Sequence, residues 1–258
     1  MRGTTGRPGT VPLTARSVLA STLLGADPPE LPVAHLVRMA GLFGINPNRA
    51  RVALSRMVSS GEATTDGAGR YRLAGHLLAR QRRQTASRAG RTGPWQGGWH
   101  VVVLTAVGDQ ADVRAGRRRA LEAARLGELR LGVWTRPDNL ALDLGGPLAG
   151  LEGDATRFAA TPAGDPGELS RSLWDLEGWA AGARRLMGEM RDAPTTSADD
   201  LAPGFVLSAA VLRHLQADPL LPAELLPAGW PGAALRSAYD AYDARYRGVL
   251  ADWGRRVG

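Results

Sequence analysis

The sequence contains no cysteine among its 258 residues, which excludes disulfide bonds and thiolate metal sites. It also contains no lysine, so all 32 basic residues are arginines. No apolar run approaches the roughly 18 residues that a transmembrane helix requires. The N-terminus carries Arg2 and Arg7 but lacks the apolar segment of a secretory signal. We therefore expect a cytoplasmic protein without a membrane partner.

Acidic residues are scarce in the first third of the chain. Residues 1–93 contain 14 arginines and four acids, a net charge of +10, whereas residues 94–258 contain 18 arginines and 21 acids, a net charge of −3. Together these give the +7 of the whole chain. Because basic charge gathered in one module is typical of nucleic-acid-binding proteins, this distribution predicts a DNA-binding module at the N-terminal end.

The segment from residue 46 to residue 60 has the pattern of a helix with one apolar and one polar face. Asn46 is a favourable N-cap, and Pro47 suits the first helical position. Apolar residues recur every three or four positions, at Ala50, Ala53, Leu54, Met57 and Val58. The opposite face carries amide, hydroxyl and guanidinium groups, which pair with the base edges and phosphates of DNA. For this segment alone, a solvated surface helix is the alternative.

Two further helical patterns precede this segment. They cover Thr14–Leu24, which Gly25 closes, and Leu31–Ala40. The short connection Gly41–Ile45 joins the second pattern to the predicted helix 46–60. Two helices joined by a turn that contains glycine form the helix-turn-helix arrangement of DNA-binding proteins. The context therefore favours a DNA-recognition helix at 46–60.

A β-hairpin is predicted directly after this helix. Residues 61–65 and 70–73 flank the turn sequence Asp66–Gly69. Such a hairpin is the wing of a winged helix-turn-helix domain. Because side chains alternate along a strand, Arg70 and Arg72 point to the same side, which we expect to face DNA.

The rest of the chain predicts a sheet followed by helices. A basic helix at Gly75–Arg88 and a Gly/Pro-rich linker lead to a strand, helix, strand, strand order, which suggests a ferredoxin-like sheet. Helical patterns follow at Glu168–Met190, Pro203–Gln216 and Ala233–Trp253, with a Pro/Leu-rich segment at 218–227. We predict an α+β protein with a disordered tail (1–12), a winged helix-turn-helix domain (13–90), a ferredoxin-like central domain (95–165) and a helical C-terminal domain (166–258).

The chain resembles the PaaX family of bacterial repressors. The resemblance lies in the helix-turn-helix with its wing, in Trp99-His100 before a strand, and in Gly132–Pro137. It is most specific in Leu212–Pro222 and its continuation Leu226–Gly232. The resemblance implies the same three domains and a dimeric repressor of a catabolic operon. The namesake of the family responds to phenylacetyl-CoA, although related members serve other pathways.

A small-molecule effector site is predicted between the central and C-terminal domains. Tryptophans at such a place either fill the core or line an apolar cavity. An acyl-CoA effector would also need cations for its phosphates. The candidate effector residues are Trp134, Arg136, Arg213 and His214. His100, on an apolar strand, is expected to be a hydrogen-bonded core residue.

A metal-dependent nuclease is the alternative function. The central domain also resembles the small ferredoxin-like nucleases found at CRISPR loci, in which a carboxylate near the end of the first strand holds a divalent metal. Asp109 lies close to that place, but two-metal chemistry requires several converging carboxylates, and the helix dipole alone explains Asp112. The scattered histidines and the lack of G-x-S-x-G and P-loop motifs predict no catalytic residue, metal or cofactor.

The sequence therefore predicts a transcriptional regulator and not an enzyme. We expect a homodimeric repressor that binds an inverted-repeat operator in double-stranded DNA and is released by an effector such as an aryl- or acyl-CoA thioester. The sequence does not separate repression from activation. An architectural DNA binder without a ligand is a third possibility. The expected DNA contacts are Asn48, Arg49, Arg51, Ser55, Arg56, Arg70 and Arg72.

Overall fold

The computed structural model describes residues 13–105, 110–142, 148, 151 and 153–257. The chain divides into two compact units, Met1–Arg83 and Gln84–Gly258. Each unit combines helices with an antiparallel sheet, which confirms the α+β class. The predicted tail at 1–12 lies outside the described residues, and the division of the second unit into two domains stays a prediction. Among the described helices, none is both long and apolar enough to cross a membrane.

Helices and short strands alternate in the first unit. The order is α1 (Ala15–Leu24), β1 (Glu30–Pro32), α2 (Val33–Gly41), α3 (Pro47–Ser59), β2 (Ala63–Thr65) and β3 (Arg70–Leu73). The strands form an antiparallel sheet in the order β1-β3-β2. Thr14 caps α1 by accepting a hydrogen bond from the Ser17 N–H, and Gly25 follows its last residue. The predicted hairpin and the predicted helix 46–60 are both confirmed.

The core of the first unit lies between α1, α2 and α3. Its central side chains have essentially no exposure to solvent, and each buried leucine contributes roughly 1.5–3 kcal/mol to folding. This cluster fixes the back of α3 against the other two helices. Its members include Val18, Leu19, Leu23, Leu36, Ala40, Ala50, Leu54 and Met57.

The second helix begins at Val33, not at Leu31 as the pattern predicts. The preceding residues form β1, in which Glu30 lies opposite Arg72 and Pro32 lies opposite Arg70. Pro32 suits this place because an edge strand tolerates the missing N–H donor. A three-residue strand has no periodicity of its own, so only its pairing with β3 defines it.

α4 (Gly75–Ala89) crosses the division between the units, and the second unit continues with a sheet. Its elements are β4 (Trp99–Leu104), α5 (Ala111–Ala123), β5 (Gly127–Arg130), β6 (Val133–Pro137) and β7 (Ala155–Ala160). The antiparallel strand order is β5-β6-β4-β7. Val102 and Trp134 on one face of this sheet pack against Leu121 and Leu126.

The segment 129–135, which alternates like a single strand, is a hairpin. β5 ends at Arg130 and β6 begins at Val133, with Leu131 and Gly132 in the turn. Gly132 has a φ of +77°, a conformation that favours glycine, and the side chain of Leu131 is 95% exposed. The alternation of side chains continues across the turn, so periodicity alone does not reveal the reversal.

Helices complete the second unit. They are α6 (Pro166–Leu173), α7 (Leu176–Asp192), α8 (Leu201–Gln216) and α9 (Gly232–Val257), with short 3-10 helices at Ala198–Asp200 and Ala223–Leu225. The Pro/Leu-rich segment before α9 is not helical throughout, as predicted. It buries Leu220, Leu221 and Leu225.

The predicted helix Glu168–Met190 is broken into α6 and α7. Trp174 is extended and stacks on Trp99, with ring centroids 6.5 Å apart. Asp175 then caps α7 by accepting a hydrogen bond from the Gly178 N–H at 2.8 Å. An aspartate cap starts a new helix at this point even though the apolar spacing continues.

Candidate nucleic-acid interface

Local geometry fixes the N-terminal end of α3. The Asn46 side chain accepts a hydrogen bond from the Arg49 N–H at 2.9 Å, and Pro47 occupies the first turn. Gly44, in the connection before α3, has a φ of +70°, a backbone conformation that costs other residues roughly 1–2 kcal/mol. The Ile45 N–H donates to the Ala40 carbonyl at 3.2 Å, so the connection folds back on α2.

α3 has the two faces that the sequence predicts. Ala50, Leu54 and Met57 are at most 1% exposed and belong to the core. The residues on the other side are all exposed: Asn48, Arg49, Arg51, Val52, Ser55, Arg56 and Ser59. The structure therefore brings the five predicted DNA contacts of this helix onto its solvent-facing side.

The arginines of this exposed face have no counter-charge within the part of the chain that the structure describes. Arg49, Arg51 and Arg56 make no side-chain hydrogen bond or ion pair to any residue that the structure describes. Each guanidinium therefore keeps its charge and its five N–H donors for an external acceptor. Val52, with 44% exposure, places a methyl-bearing side chain among these polar groups. Such a face can bind phosphates and base edges, including a thymine methyl group.

The two arginines of the β2–β3 hairpin, which the sequence predicts to be the wing, differ from those of α3 because both bind Glu30 of β1. The Arg70 Nε donates to Glu30 Oε1 at 2.6 Å, and the Arg72 Nε donates to Glu30 Oε2 at 2.7 Å. The Arg72 Nη2 also bonds Oε2. Arg70 and Arg72 point to the same side, as predicted, and their side chains stay 49% and 65% exposed. These arginines hold the pKa of Glu30 below its ordinary value.

The tip of the wing is held by Asp66. Its Oδ1 accepts hydrogen bonds from the Ala68 N–H at 2.8 Å and the Arg70 N–H at 2.9 Å. The Arg70 N–H is the main reason why the pKa of Asp66 lies below its ordinary value. Gly67 and Gly69 take positive φ values of 76° and 96°. The turn is therefore ordered by hydrogen bonds that keep its aspartate charged.

A buried carboxylate, Glu62, lies between α3 and β2. Its side chain accepts a hydrogen bond from the Arg16 Nε at 2.8 Å, and the His76 Nε2 lies 3.7 Å away. The bond from Arg16 is the main cause of the lowered pKa of Glu62. Glu62 thereby ties the start of α1 to the base of the wing.

Two of the predicted effector residues are buried in the sheet of the second unit. Trp134 is 3% exposed, and the Arg118 guanidinium lies 5.4 Å from its ring centroid. Arg136 is 1% exposed, and its Nε donates to the Pro137 carbonyl at 3.0 Å. Its Nη2 donates to the Asn139 Oδ1 at 3.1 Å. Burial lowers the pKa of Arg136 to about 9. Arg136 therefore binds protein acceptors.

The other two predicted effector residues lie on α8. Arg213 is exposed. His214 stacks on Trp179 at 4.6 Å, and its Nε2 donates to the Trp179 carbonyl at 3.0 Å. Trp230 stacks on the same indole at 4.5 Å. Burial lowers the pKa of His214. The contacts of the four predicted residues thus fall at two places, one in the sheet and one at this ring stack.

A buried ion pair lies close to Arg136. Asp218 is 1% exposed and accepts a hydrogen bond from the Arg236 Nη2 at 2.8 Å. The backbone carbonyl of Asp218 accepts a bond from the Arg125 Nε at 2.8 Å, and Ser87 accepts one from the Arg125 Nη2 at 2.7 Å. These bonds connect α4, the turn that follows α5, α9 and the Pro/Leu-rich segment.

Comparisons with known proteins agree with this arrangement. A family model described as PaaX-like protein matches residues 14–77, and a model of the PaaX-like protein C-terminal domain matches residues 174–252. The solved structure of the uncharacterized protein Rv0674 from Mycobacterium tuberculosis is similar, with 44% identity and a TM-score of 0.69. The match covers 92% of this chain and 99% of that one. The chain belongs to the PaaX-like family. No curated protein matches it.

The matched segments of this PaaX-like chain contain the predicted DNA contacts and two of the effector candidates. The N-terminal match spans α1 to β3 with the whole exposed face of α3. The C-terminal match includes Arg213 and His214, whereas Trp134 and Arg136 lie between the two matches. Family membership therefore bears most directly on the first unit and on α7 to α9.

The metal site considered for the nuclease alternative has no support in this PaaX-like protein. Asp109 lies outside the described residues. Asp112 is exposed at the start of α5, where its Oδ1 accepts a hydrogen bond from the Val113 N–H at 2.9 Å. Among the residues that the structure describes, no group of three His, Cys, Asp or Glu side chains is placed to hold a metal ion.

Glu30 belongs to the candidate interface but is not predicted by the sequence pattern. Its strand is too short for a periodic pattern, and its partners lie 40 and 42 residues away in the chain. One signal was available, because residues 1–93 contain only four acids. In so basic a module each carboxylate is expected to find an arginine, and two arginines on one side of a strand are natural partners.

Proposed function

We propose that the protein is a sequence-specific transcriptional regulator that binds double-stranded DNA. The order of α1 to β3 suits a winged helix-turn-helix domain with α3 in the major groove. The strand order of the second unit suits a ferredoxin-like sheet. We further propose that the protein acts as a homodimeric repressor, in which each copy of α3 contacts one half-site of an inverted repeat.

The observation that carries this proposal is the exposed polar face of α3. Its three arginines have no counter-charge among the described residues, and the opposite face is anchored in the core. A rigid helix with unpaired guanidinium, amide and hydroxyl groups is suited to base edges, which accept and donate in a fixed pattern. Membership of the PaaX-like family supports the same function.

The residues are assigned two kinds of contact. Asn48, Arg49, Arg51 and Ser55 lie on the first turns of α3 and are proposed to contact bases or adjacent phosphates. The remaining three, Arg56, Arg70 and Arg72, are proposed to neutralise phosphates, which fixes the orientation of the protein without selecting a sequence.

The proposed signal for release is a small molecule such as an aryl- or acyl-CoA thioester. On α8 the exposed Arg213 directly precedes the half-buried His214, which stacks on the buried Trp179. This arrangement supports a site for a ligand with an apolar and an anionic part. Trp134 and Arg136 are better explained by the core of the sheet. Since half-site spacing is fixed by the DNA, a change in spacing between the two copies of α3 would weaken operator binding.

The experiment that tests the function is DNA binding to the region upstream of the protein's own gene. A scrambled duplex of equal length and composition serves as the control, and both are titrated at several salt concentrations with and without a panel of CoA thioesters. We expect selective, salt-sensitive binding that one thioester abolishes. Selective binding that no thioester changes would contradict the proposed effector class. Equal binding to both duplexes would contradict sequence-specific regulation and favour an architectural role.

A further inference from the structure

Glu30 uses both of its carboxylate oxygens on the wing. Oε1 accepts from Arg70 and Oε2 accepts from Arg72, at Nε distances of 2.6 and 2.7 Å. The Glu30 side chain is only 18% exposed, whereas those of the two arginines remain 49% and 65% exposed. The Glu30 carboxylate is therefore largely shielded from solvent, whereas the side chains of Arg70 and Arg72 that bind it stay accessible.

The pairing changes the charge that the wing presents. Two arginines alone would contribute +2, but with Glu30 between them the group contributes +1. The lowered pKa of Glu30 keeps this carboxylate charged at neutral pH. Arg49, Arg51 and Arg56 on α3 have no such partner in the described part of the chain. Within the same unit, the arginines of α3 thus keep their full positive charge, whereas Glu30 halves the net positive charge of Arg70 and Arg72.

Fold stability alone does not require this arrangement. The Arg70 and Arg72 side chains are 49% and 65% exposed, and ion pairs with such exposed partners contribute little to stability. Glu30 also already lies directly opposite Arg72 through backbone pairing. A glutamine would keep an acceptor of nearly the same shape without the charge. The specific effect of the carboxylate is therefore electrostatic.

We propose that Glu30 limits the sequence-independent affinity of this protein for DNA by neutralising half of the wing charge. The proposal rests on the DNA-binding function proposed above and names a residue that adjusts it. Phosphate contacts contribute affinity to every duplex alike. A carboxylate next to the arginines that contact phosphates lowers this sequence-independent contribution. Selectivity between DNA sequences then depends on the contacts of α3.

The test compares Glu30→Gln with the wild-type protein on the upstream duplex and on the scrambled duplex. We expect the variant to bind both duplexes more tightly by the same factor, roughly fivefold at 0.1 M salt, and the slope of log affinity against log salt to steepen by about 0.9. The ratio of the two affinities should not change. Circular dichroism and urea unfolding of each variant establish that it is folded.

Two matched variants separate the local charge from other effects. Glu30→Asp keeps the charge and should leave the salt slope unchanged. Glu189→Gln removes one carboxylate from an exposed i,i+4 pair with Arg185 on α7, so it changes the net charge equally without touching the first unit. It too should leave the slope unchanged. A steeper slope in either variant would overturn the proposal.

Failure of this proposal is distinguishable from failure of the proposed function. If Glu30→Gln binds more weakly or with an unchanged slope, Glu30 positions the arginines and does not limit affinity, whereas wild-type selectivity stands. If the wild type binds both duplexes equally but the variant steepens the slope, sequence-specific regulation fails and the role of Glu30 stands. If the wild type binds neither duplex, both proposals are overturned.

Discussion

Arginine has different surroundings in the two units of this protein. In the first unit, the exposed arginines of α3 have no counter-charge among the described residues. In the second unit, arginines bind carboxylates of the same unit, as in Arg236 with Asp218 at 2.8 Å and Arg117 with Asp154 at 2.6 Å. The first third of the chain has few acids to offer, and the remainder has more acids than arginines.

The function of an arginine in this protein therefore depends on its binding partner more than on the number of arginines in its unit. An unpaired guanidinium on a rigid surface is available to an external anion, whereas a guanidinium bonded inside the protein connects elements of the fold. Arg136, a predicted effector residue, illustrates the second case, because its guanidinium donates to the Pro137 carbonyl and to the Asn139 side chain. Substitutions that remove one partner at a time test this distinction.

The largest effect is expected from Asp218→Ala. This variant leaves the largely buried cation of Arg236 without its carboxylate and removes the negative charge near Arg125. Loss of one partner of a buried pair costs about 3–5 kcal/mol. The free energy of unfolding of the second unit should fall by this amount. All seven tryptophans lie after residue 93, so tryptophan fluorescence during urea unfolding reports this unit alone.

Glu189→Gln is the control for Asp218→Ala. Its carboxylate is 45% exposed and pairs with an arginine on the same helix, so its loss should change the free energy of unfolding by less than about 0.5 kcal/mol. Equal effects of the two substitutions would mean that burial of the ion pair does not determine its importance.

The next largest effect is expected from Arg51→Ala. If this unpaired arginine contacts a guanine, its removal should weaken binding to the upstream duplex by roughly 1–3 kcal/mol and relax selection at one base pair. Arg119→Ala removes another exposed arginine, from α5 of the second unit, and should leave binding unchanged. Binding titrations on duplexes with single base changes measure both outcomes. An unchanged affinity and base preference would reject the contact.

The sequence predicts those parts of the first unit that depend on local signals. The Asn46-Pro47 start of α3, its apolar spacing and the Asp66–Gly69 turn are encoded within a few residues, and the structure confirms them. β1 and the role of Glu30 depend on pairing with residues some 40 positions away, which no local pattern contains. That the α3 arginines have no counter-charge among the described residues depends on the fold of the whole first unit and not on a local pattern.

Packing explains the differences in the second unit. The alternation over 129–135 continues through a turn that Gly132 permits, and the helical spacing over 168–190 continues through a break where Asp175 caps α7. The sequence around Arg136 does not indicate that this residue is buried, yet its position opposite His100 in the sheet places it inside the unit. The periodicity of apolar residues predicts which face of a helix or strand is buried. It does not predict where the element ends or which other elements pack over it.

A smaller effect is expected from Arg72→Gln. Removing this cation leaves Glu30 and Arg70 as a neutral pair, so the wing loses one net positive charge. Binding to the upstream and scrambled duplexes should weaken alike, by roughly fivefold at 0.1 M salt, and the salt slope should flatten by about 0.9. Titrations at several salt concentrations measure the slope. A loss confined to the upstream duplex would instead indicate that Arg72 contacts a base.

The smallest effect, a loss of stability of the first unit, is expected from Glu62→Gln. This substitution removes the carboxylate that pairs with Arg16, away from Arg70 and Arg72. Since Arg16 lowers the pKa of Glu62 below its ordinary value of 4.5, this pair stabilises the folded state above that pH. The stabilisation is lost as the pH falls through the lower pKa of the folded state. The Arg16 side chain is 52% exposed, so the contribution at neutral pH is about 1 kcal/mol or less.

Hydrogen–deuterium exchange of the α1 amides measures this effect in the first unit alone. In the wild type, exchange from the folded state should accelerate relative to intrinsic rates as the pH falls below 4.5. In Glu62→Gln it should already be faster at neutral pH and change less on acidification, because the titrating group is gone. An identical acid dependence in both proteins would show that Arg16 and Glu62 do not stabilise this unit. The ion pair of Arg16 would then contribute no more to stability than the exposed α3 arginines, which have no counter-charge among the described residues.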